Sequence, residues 1–236
     1  MRRVIQCSAA IFFSACATFA IAGGYDYAKE DLNGYTLQPN LKVSDESDYT
    51  RSGHEFYLFG GYLYTDRFLS NSRLTATIPS SSVTYVPNNV FPSTFNGLQF
   101  GAGKAWGRHI DFQMSYFQHF ASKKTSTLDG NSFTTSVKMN GILTDVGYVF
   151  NPDDQFQIMA DIGAAVAEFY NTITVGGSPY TTNDDETTVN PAVGMQFLMQ
   201  FTPHAGFRLS TTYIANTQTS LSSGEVSILA GFNYTL

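Results

Sequence analysis

Gly224-Glu-Val-Ser-Ile-Leu-Ala-Gly-Phe-Asn-Tyr-Thr-Leu236 decides the fold of this chain. Val226, Ile228, Ala230, Phe232, Tyr234 and Leu236 share one parity; Glu225, Ser227, Gly231, Asn233 and Thr235 share the other. A period of two is a β-strand with one apolar and one polar face. A soluble protein rarely leaves such an aromatic-bearing strand uncovered at an edge. In a closed barrel it would pair with the first strand, and no edge would remain.

Seven further segments supply partners: 55–65, 96–106, 109–120, 133–150, 155–168, 187–201 and 205–215. The cleanest is 109–120, where Ile110, Phe112, Met114, Tyr116 and Phe120 oppose Asp111, Gln113, Ser115 and His119. In 133–150 the later half alternates through Thr144, Val146, Tyr148 and Phe150. Its earlier half fits a slipped phase, which predicts a bulge near Asn140-Gly141. Pro191 cannot donate to a ladder and should sit at a rim or bulge. The connections alternate between long polar stretches (66–95, 121–132, 169–186, 216–223) and short turns (107–108, 151–154, 202–204). An even strand count with short turns on one side and long loops on the other matches a bacterial outer-membrane barrel. The strands also meet the roughly 9–11 residues needed to cross a bilayer tilted. The expected fold is all-β, an eight-stranded antiparallel up-and-down transmembrane β-barrel.

Composition and charge agree. Charged residues are 14% of the 236, while Phe (20), Tyr (14) and Gly (20) are abundant. Arg2 and Arg3, the apolar run Val4 to Phe19 and the small-x-small Ala20-Ile21-Ala22 read as a cleaved signal peptide over 1–22. An uncleaved anchor and lipidation at Cys16 are the weaker readings. Cys7 and Cys16 both fall within this segment, so the exported chain would hold no disulfide. Residues 23–54 form a polar, acidic leader without alternation, and 55–236 the barrel. Without Arg2 and Arg3 the net charge goes from −6 to −8, with 11 basic against 19 acidic residues. An acidic exported chain without basic clusters is unsuited to nucleic acid.

The alternative to a membrane barrel is a soluble one with its apolar face inside. On the apolar parity the charges are Lys104, near the short-turn end, and Glu168, at the loop end. There a charge costs about 0–1 kcal/mol, against about 2–4 for a midplane Lys or Arg. The opposite parity carries Asp111, Asp145, Asp161 and Arg208 with Gln, Ser, Thr, Asn and Gly. A soluble barrel would turn those inward and its Phe, Ile, Leu and Met to water, so lipid fits better. Trp106, Tyr148, Phe150, Phe201 and Tyr234 toward the short turns, with Tyr64 and Tyr213 toward the loops, match interfacial girdles.

On this architecture and on Phe232-x-Tyr234-x-Leu236, the chain resembles the OmpA-like outer-membrane β-barrel group, including OmpX-like and opacity-type proteins, over about residues 55–236. The resemblance implies that the final strand is a signal for the outer-membrane assembly machinery. Leu236 departs from the terminal Phe usual in that group. It further implies roles as membrane anchors, adhesins or narrow channels, among which fold does not choose.

Eight strands enclose a lumen that side chains just fill. Asp111, Asp145, Asp161 and Arg208 would point into it, and a buried charge needs a partner. Arg208 is expected to pair with Asp111 or Asp145 and to plug the lumen near the short turns. His54, His109 and His204 should gather at the short-turn rim and His119 near a loop, solvated or interfacial, without metal-ligand spacing. His119 near Ser122 is the nearest approach to lipid-modifying catalysis, and its spacing lacks the deacylase His-x-Ser pattern. Asp184-Asp185-Glu186 reads as solvated loop rather than a cation site. The expected role is a non-enzymatic, monomeric outer-membrane anchor without cofactor or metal. Its lumen is plugged and its loops offer an adhesin-like surface to host or surface ligands. A narrow porin-like channel is the alternative, and a lipid-modifying enzyme the third.

Overall fold

The computed structural model describes residues 54–78, 81–128, 131–175, 178–216 and 221–236. The expected signal peptide and nearly all of the acidic leader lie outside the described residues, as do the side chains of Asp184, Asp185 and Glu186. In chain order the elements are β1 (Phe56–Leu69), a hairpin of β2 (Leu74–Ile78) and β3 (Ser81–Tyr85), a single turn α1 (Pro87–Val90), β4 (Thr94–Trp106), β5 (Ile110–His119), β6 (Ser122–Leu128), β7 (Asn131–Val149), β8 (Phe156–Val175), β9 (Ser178–Gln200), β10 (Ala205–Ala215) and β11 (Ser222–Thr235).

Eight of these strands form a closed antiparallel ring in the order β1, β4, β5, β7, β8, β9, β10, β11. The final strand pairs with the first from Tyr57↔Thr235 to Arg67↔Glu225. Leu236 N donates to Phe56 O at 2.8 Å, so the seam is stitched to its rim. No barrel edge remains to template aggregation.

Alternation places each side chain as the parity requires. Phe56, Leu58, Tyr62 and Tyr64 point outward, while Tyr57, Phe59, Leu63 and Thr65 are buried inside. Outward residues reach high exposure, such as Trp106 at 74%, Phe232 at 70% and Ile162 at 67%. An apolar face so exposed is favourable only against lipid. Lys104 and Glu168 point outward as expected, and Lys104 Nζ lies 4.8 Å from the Phe56 ring centroid. Inside, glycines make room for rings: Tyr57 faces Gly103 and Phe59 faces Gly101 across the β1–β4 ladder. A Cβ at Gly101 would stand 2.4 Å from Phe59 Cζ.

Two expectations need correction. The stretches 66–95, 121–132 and 169–186 are largely ordered rather than plain loops. They hold the β2–β3 hairpin and α1, β6 paired with β7, and the upper β8–β9 hairpin. The bulge is not at Asn140-Gly141, since β7 keeps one parity from Phe133 to Val149. It lies on the facing strand, where β5 pairs Gln118↔Asn140 and β6 resumes at Ser122↔Val137. His119, Phe120 and Ala121 there span what Lys138 and Met139 span on β7, one residue too many. Along β7 the surroundings change rather than the phase. Below Asn140 the outer face is apolar; above it Lys138, Ser136 and Thr134 face outward, and Phe133, Val137 and Met139 pack inside. Pro191 pairs with Ala164 one residue past the last β9–β10 pair, Ala192↔Ile214, at the point where that ladder stops.

Candidate functional site: the barrel lumen

Asp111, Asp145, Asp161 and Arg208 come from β5, β7, β8 and β10, and all are buried. Each sits on the inward parity in the half of its strand nearer a short turn, where β5, β8 and β10 begin and β7 ends, so all four gather toward that end. Tyr57 Oη donates to Asp111 Oδ2 at 3.3 Å. Arg208 donates to Gln113 Oε1, and its guanidinium carbon lies 3.8 Å from the Phe59 ring centroid. Gln196 Nε2 donates to Asp161 Oδ1 at 3.1 Å and to Gln113 Oε1 at 3.3 Å. Arg208 also acts electrostatically on Asp145 and Asp161. The Gln113 amide accepts a hydrogen bond from the guanidinium, and Gln113 stands two residues along β5 from Asp111 on the same inward face. Asp145 and Asp161 both feel the Arg208 charge, and Gln113 and Gln196 link it onward to Asp161.

On the loop side of this cluster Leu63, Phe117, Leu143 and Leu229 are buried together with Met139, Ala165, Ala167, Phe169 and Ile214. Beyond them lies a second polar group. Thr65 Oγ1 is 2.7 Å from both His119 Nε2 and Ser227 Oγ; on the short-turn side of Phe117, Gln99 donates to Ser115 at 2.8 Å. Arg67 faces Glu225 across the β1–β11 ladder and stacks 4.4 Å from the Phe169 centroid. Over the loop-side mouth Leu69, Val90, Phe91, Phe95 and Val137 form a separate apolar cluster. Thr135 Oγ1 donates to Val90 O, and Lys124 Nζ donates to Asn88 O at 2.7 Å. The two cavities described are about 30 Å³ beside Arg208 and about 10 Å³ beside Leu63. Such volumes hold a water or two.

His119 is 1% exposed, packed edge-on to Phe95 and Phe117, not solvated as expected. Its inward parity on β5 carries it into the lumen beneath α1. Ser122 is no partner for it: it lies on β6, beyond the bulge, and the hydroxyl on His119 is Thr65. At the short-turn rim His109 Nδ1 meets Val149 O at 2.8 Å and stacks on Tyr148, while His204 Nδ1 meets Thr235 O at 3.1 Å. Among the described residues no group of three or more His, Cys, Asp or Glu could hold a metal ion. Trp106, Tyr148, Phe150, Phe201, Tyr213, Phe232, Tyr234 and Leu236 all stand exposed on the outside.

Sequence reasoning missed Arg67, Glu225, Gln113, Gln196 and the α1 cap. Arg67 lay inside a stretch read as loop. The cap's signal was Val86-Pro-Asn-Asn-Val-Phe-Pro92, an apolar island in polar surroundings.

No family model matches the sequence, and no curated protein does. Among solved structures the chain is similar to the outer membrane protein OprG of Pseudomonas aeruginosa, with 10% identity over 80% of this chain and 98% of that one (TM-score 0.52). It also aligns with Ail, the attachment invasion locus protein of Yersinia pestis (11%, 78% and 100%, TM-score 0.49). A third match is Neisserial surface protein A (16%, 78% and 98%, TM-score 0.48). At these identities the likeness concerns the fold, that of an eight-stranded outer-membrane barrel.

Proposed function

We propose that this chain is an integral outer-membrane protein whose closed barrel is an anchor and whose ordered loop-side sheet is an adhesin-like interaction surface. The observation that carries it is strand length. β7, β8 and β9 run 19, 20 and 23 residues, about twice the 9–11 that a tilted crossing needs. The surplus continues as hydrogen-bonded sheet, and on β7 its outer face is polar, with Lys138, Ser136, Thr134 and Ser132. Strand-paired projections of this kind present a surface with less ordering entropy to lose on binding than an unpaired loop. Insertion would follow the assembly-machinery route, with Phe232, Tyr234 and Leu236 on the lipid side of the last strand. The filled lumen favours anchoring over conduction, and the burial of His119 disfavours lipid-modifying catalysis.

The test is to replace 171–185 with a two-residue turn in the full chain and express it at the surface of cells. The barrel should still assemble, seen as a heat-dependent gel shift, while attachment to immobilised host-cell matrix falls to that of cells without the protein. Attachment unchanged by the replacement would overturn the assignment to this projection.

A further inference from the structure

Along the outside of β7 the chemistry changes in a fixed order. Tyr148, Val146 and Ile142 are exposed apolar residues; Asn140 follows, then Lys138, then Ser136, Thr134 and Ser132. The flanking strands repeat the order at matching heights. Tyr170 of β8, 42% exposed, is the cross-strand partner of Lys138. Phe120, 50% exposed, follows β5 on the other flank. Lys123 of β6 pairs with Ser136 and is therefore a diagonal neighbour of Lys138, about 7–8 Å away. Higher still, Thr125, Thr134 and Thr174 form one row, with Ser136 and Thr172 in the row below and Thr127 and Ser132 in the row above. Thr125 and Thr134 hydroxyls are 3.1 Å apart.

Two cations thus project from one patch of a chain with a net charge of −6. The neighbouring Lys124 points the other way, to Asn88 O. Glu168, one row nearer the apolar belt, accepts from Tyr170 Oη at 2.7 Å. Because the patch is the outer face of barrel strands β7 and β8 and of β6, which continues β5 beyond the bulge along β7, it faces sideways, along the membrane plane. What it meets there is the headgroup layer, just above the aromatic residues that mark the edge of the hydrocarbon. Lysines at that depth attract anionic headgroups. A phospholipid phosphate would satisfy the lysines and leave the hydroxyl rows facing nothing of their own kind. A phosphorylated sugar headgroup meets both layers.

We propose that Lys123 and Lys138 bind the phosphate groups of a phosphorylated glycolipid in the loop-side leaflet, with the Ser/Thr rows above them lying against its sugars. This rests on the membrane placement proposed above.

The full chain is reconstituted in nanodiscs of phosphatidylcholine carrying, in turn, phosphatidylglycerol, a bisphosphorylated diglucosamine glycolipid, or the same glycolipid with its phosphates removed. Lipid retained through detergent extraction is counted by native mass spectrometry. Wild-type protein should retain the bisphosphorylated glycolipid about 30-fold over its dephosphorylated form, two lysines each contributing about fivefold. It should also prefer that glycolipid over phosphatidylglycerol. Lys123→Gln with Lys138→Gln should lose that preference, Lys138→Arg should keep it, and Lys104→Gln at the opposite rim should leave it unchanged. Equal retention of phosphorylated and dephosphorylated glycolipid by wild type overturns the inference without recourse to any variant. Preference for phosphatidylglycerol assigns the lysines to general anionic lipid and overturns the glycolipid. Failure to enter discs of any composition overturns the membrane placement and this inference with it.

Discussion

The guanidinium carbon of Arg208 lies 3.8 Å from the centroid of the Phe59 ring. A cation on an aromatic face in a water-poor lumen gains more than it would at the surface. Phe59 can occupy that position because its cross-strand neighbour on β4 is Gly101. Arg208 is therefore held by a ring on one side, by the Gln113 amide on another, and by the fields of Asp145 and Asp161.

Arg208→Ala should destabilise the barrel without opening it. Removing one member of a buried charge cluster costs about 3–5 kcal/mol, because the remaining carboxylates lose their counter-charge. Denaturant titration of protein refolded in detergent would read that loss. Conductance in planar bilayers should stay at the level of the empty membrane if the buried cluster that holds Leu63, Phe117, Leu143 and Leu229 on the loop side of the charges plugs the lumen as proposed. Adding Phe117→Ala and Leu229→Ala should produce measurable current. Current through Arg208→Ala alone would make the arginine the gate and the chain a narrow channel.

The outer face should tolerate charge according to depth. Ile162, 67% exposed in the middle of the apolar stretch of β8, should cost about 2–4 kcal/mol as Ile162→Arg in a bilayer. Trp106→Arg at the short-turn rim should cost about 0–1 kcal/mol. Unfolding free energies from vesicles would give both. In a water-facing barrel Ile162→Arg would be near neutral, so equal costs at the two sites would contradict lipid on the outside.

The fold was legible because lipid writes a strong signal: wherever one face meets hydrocarbon, that face stays largely apolar, and the polar residues collect on the other parity. The seam, the strand count and the short turns all follow from that. Legibility stopped at Asn140, where water replaces lipid and the outer face becomes Lys138, Ser136 and Thr134. The apolar parity then switches sides although the strand does not slip. Without knowing where the membrane ends, a switch of environment and a bulge look the same in a sequence. The actual bulge, at 119–121, fell at the boundary of a segment already taken to be loop. Parity puts Asp111, Asp145, Asp161 and Arg208 on the inward face, where all four are buried, but it does not point to the amides that join them. Gln113 and Gln196 carry no charge to draw attention, and cross-barrel neighbours depend on strand stagger.

Lys124 and Thr135 should hold the α1 cap in place. Their bonds to the Asn88 and Val90 carbonyls are the described polar ties from the β6–β7 sheet to this turn. Lys124→Met with Thr135→Val removes both while keeping most of the side-chain volume. Each bond contributes about 0.5–1.5 kcal/mol, more where one group is charged. Hydrogen exchange at Asn89 and Phe91, whose amides donate to Val86 O and Pro87 O at 2.9 Å, should accelerate by about tenfold or more. The amides of β10, remote from the cap, should exchange at unchanged rates. Uniform acceleration over the barrel would instead mean global destabilisation.

Gly103 of β4 should resist replacement. It faces Tyr57 across the ladder, and a Cβ there would stand 2.3 Å from the ring and its hydroxyl. Since the glycine is backbone and the ring is confined by the barrel wall, the ring must yield and its bond to Asp111 must go with it. Gly103→Val should cost about 1–3 kcal/mol for overpacking, with the loss of that hydrogen bond added. Tyr57→Ala alone leaves a hole and a carboxylate short of a donor. Combined, the two changes should be less destabilising than their sum, because valine fills part of the space the tyrosine leaves. A double-mutant cycle by guanidinium unfolding would show a coupling of about 1 kcal/mol or more. Strict additivity would mean that the two side chains do not compete for the same volume, and the aromatic–glycine pairing would then not be what shapes this end of the lumen.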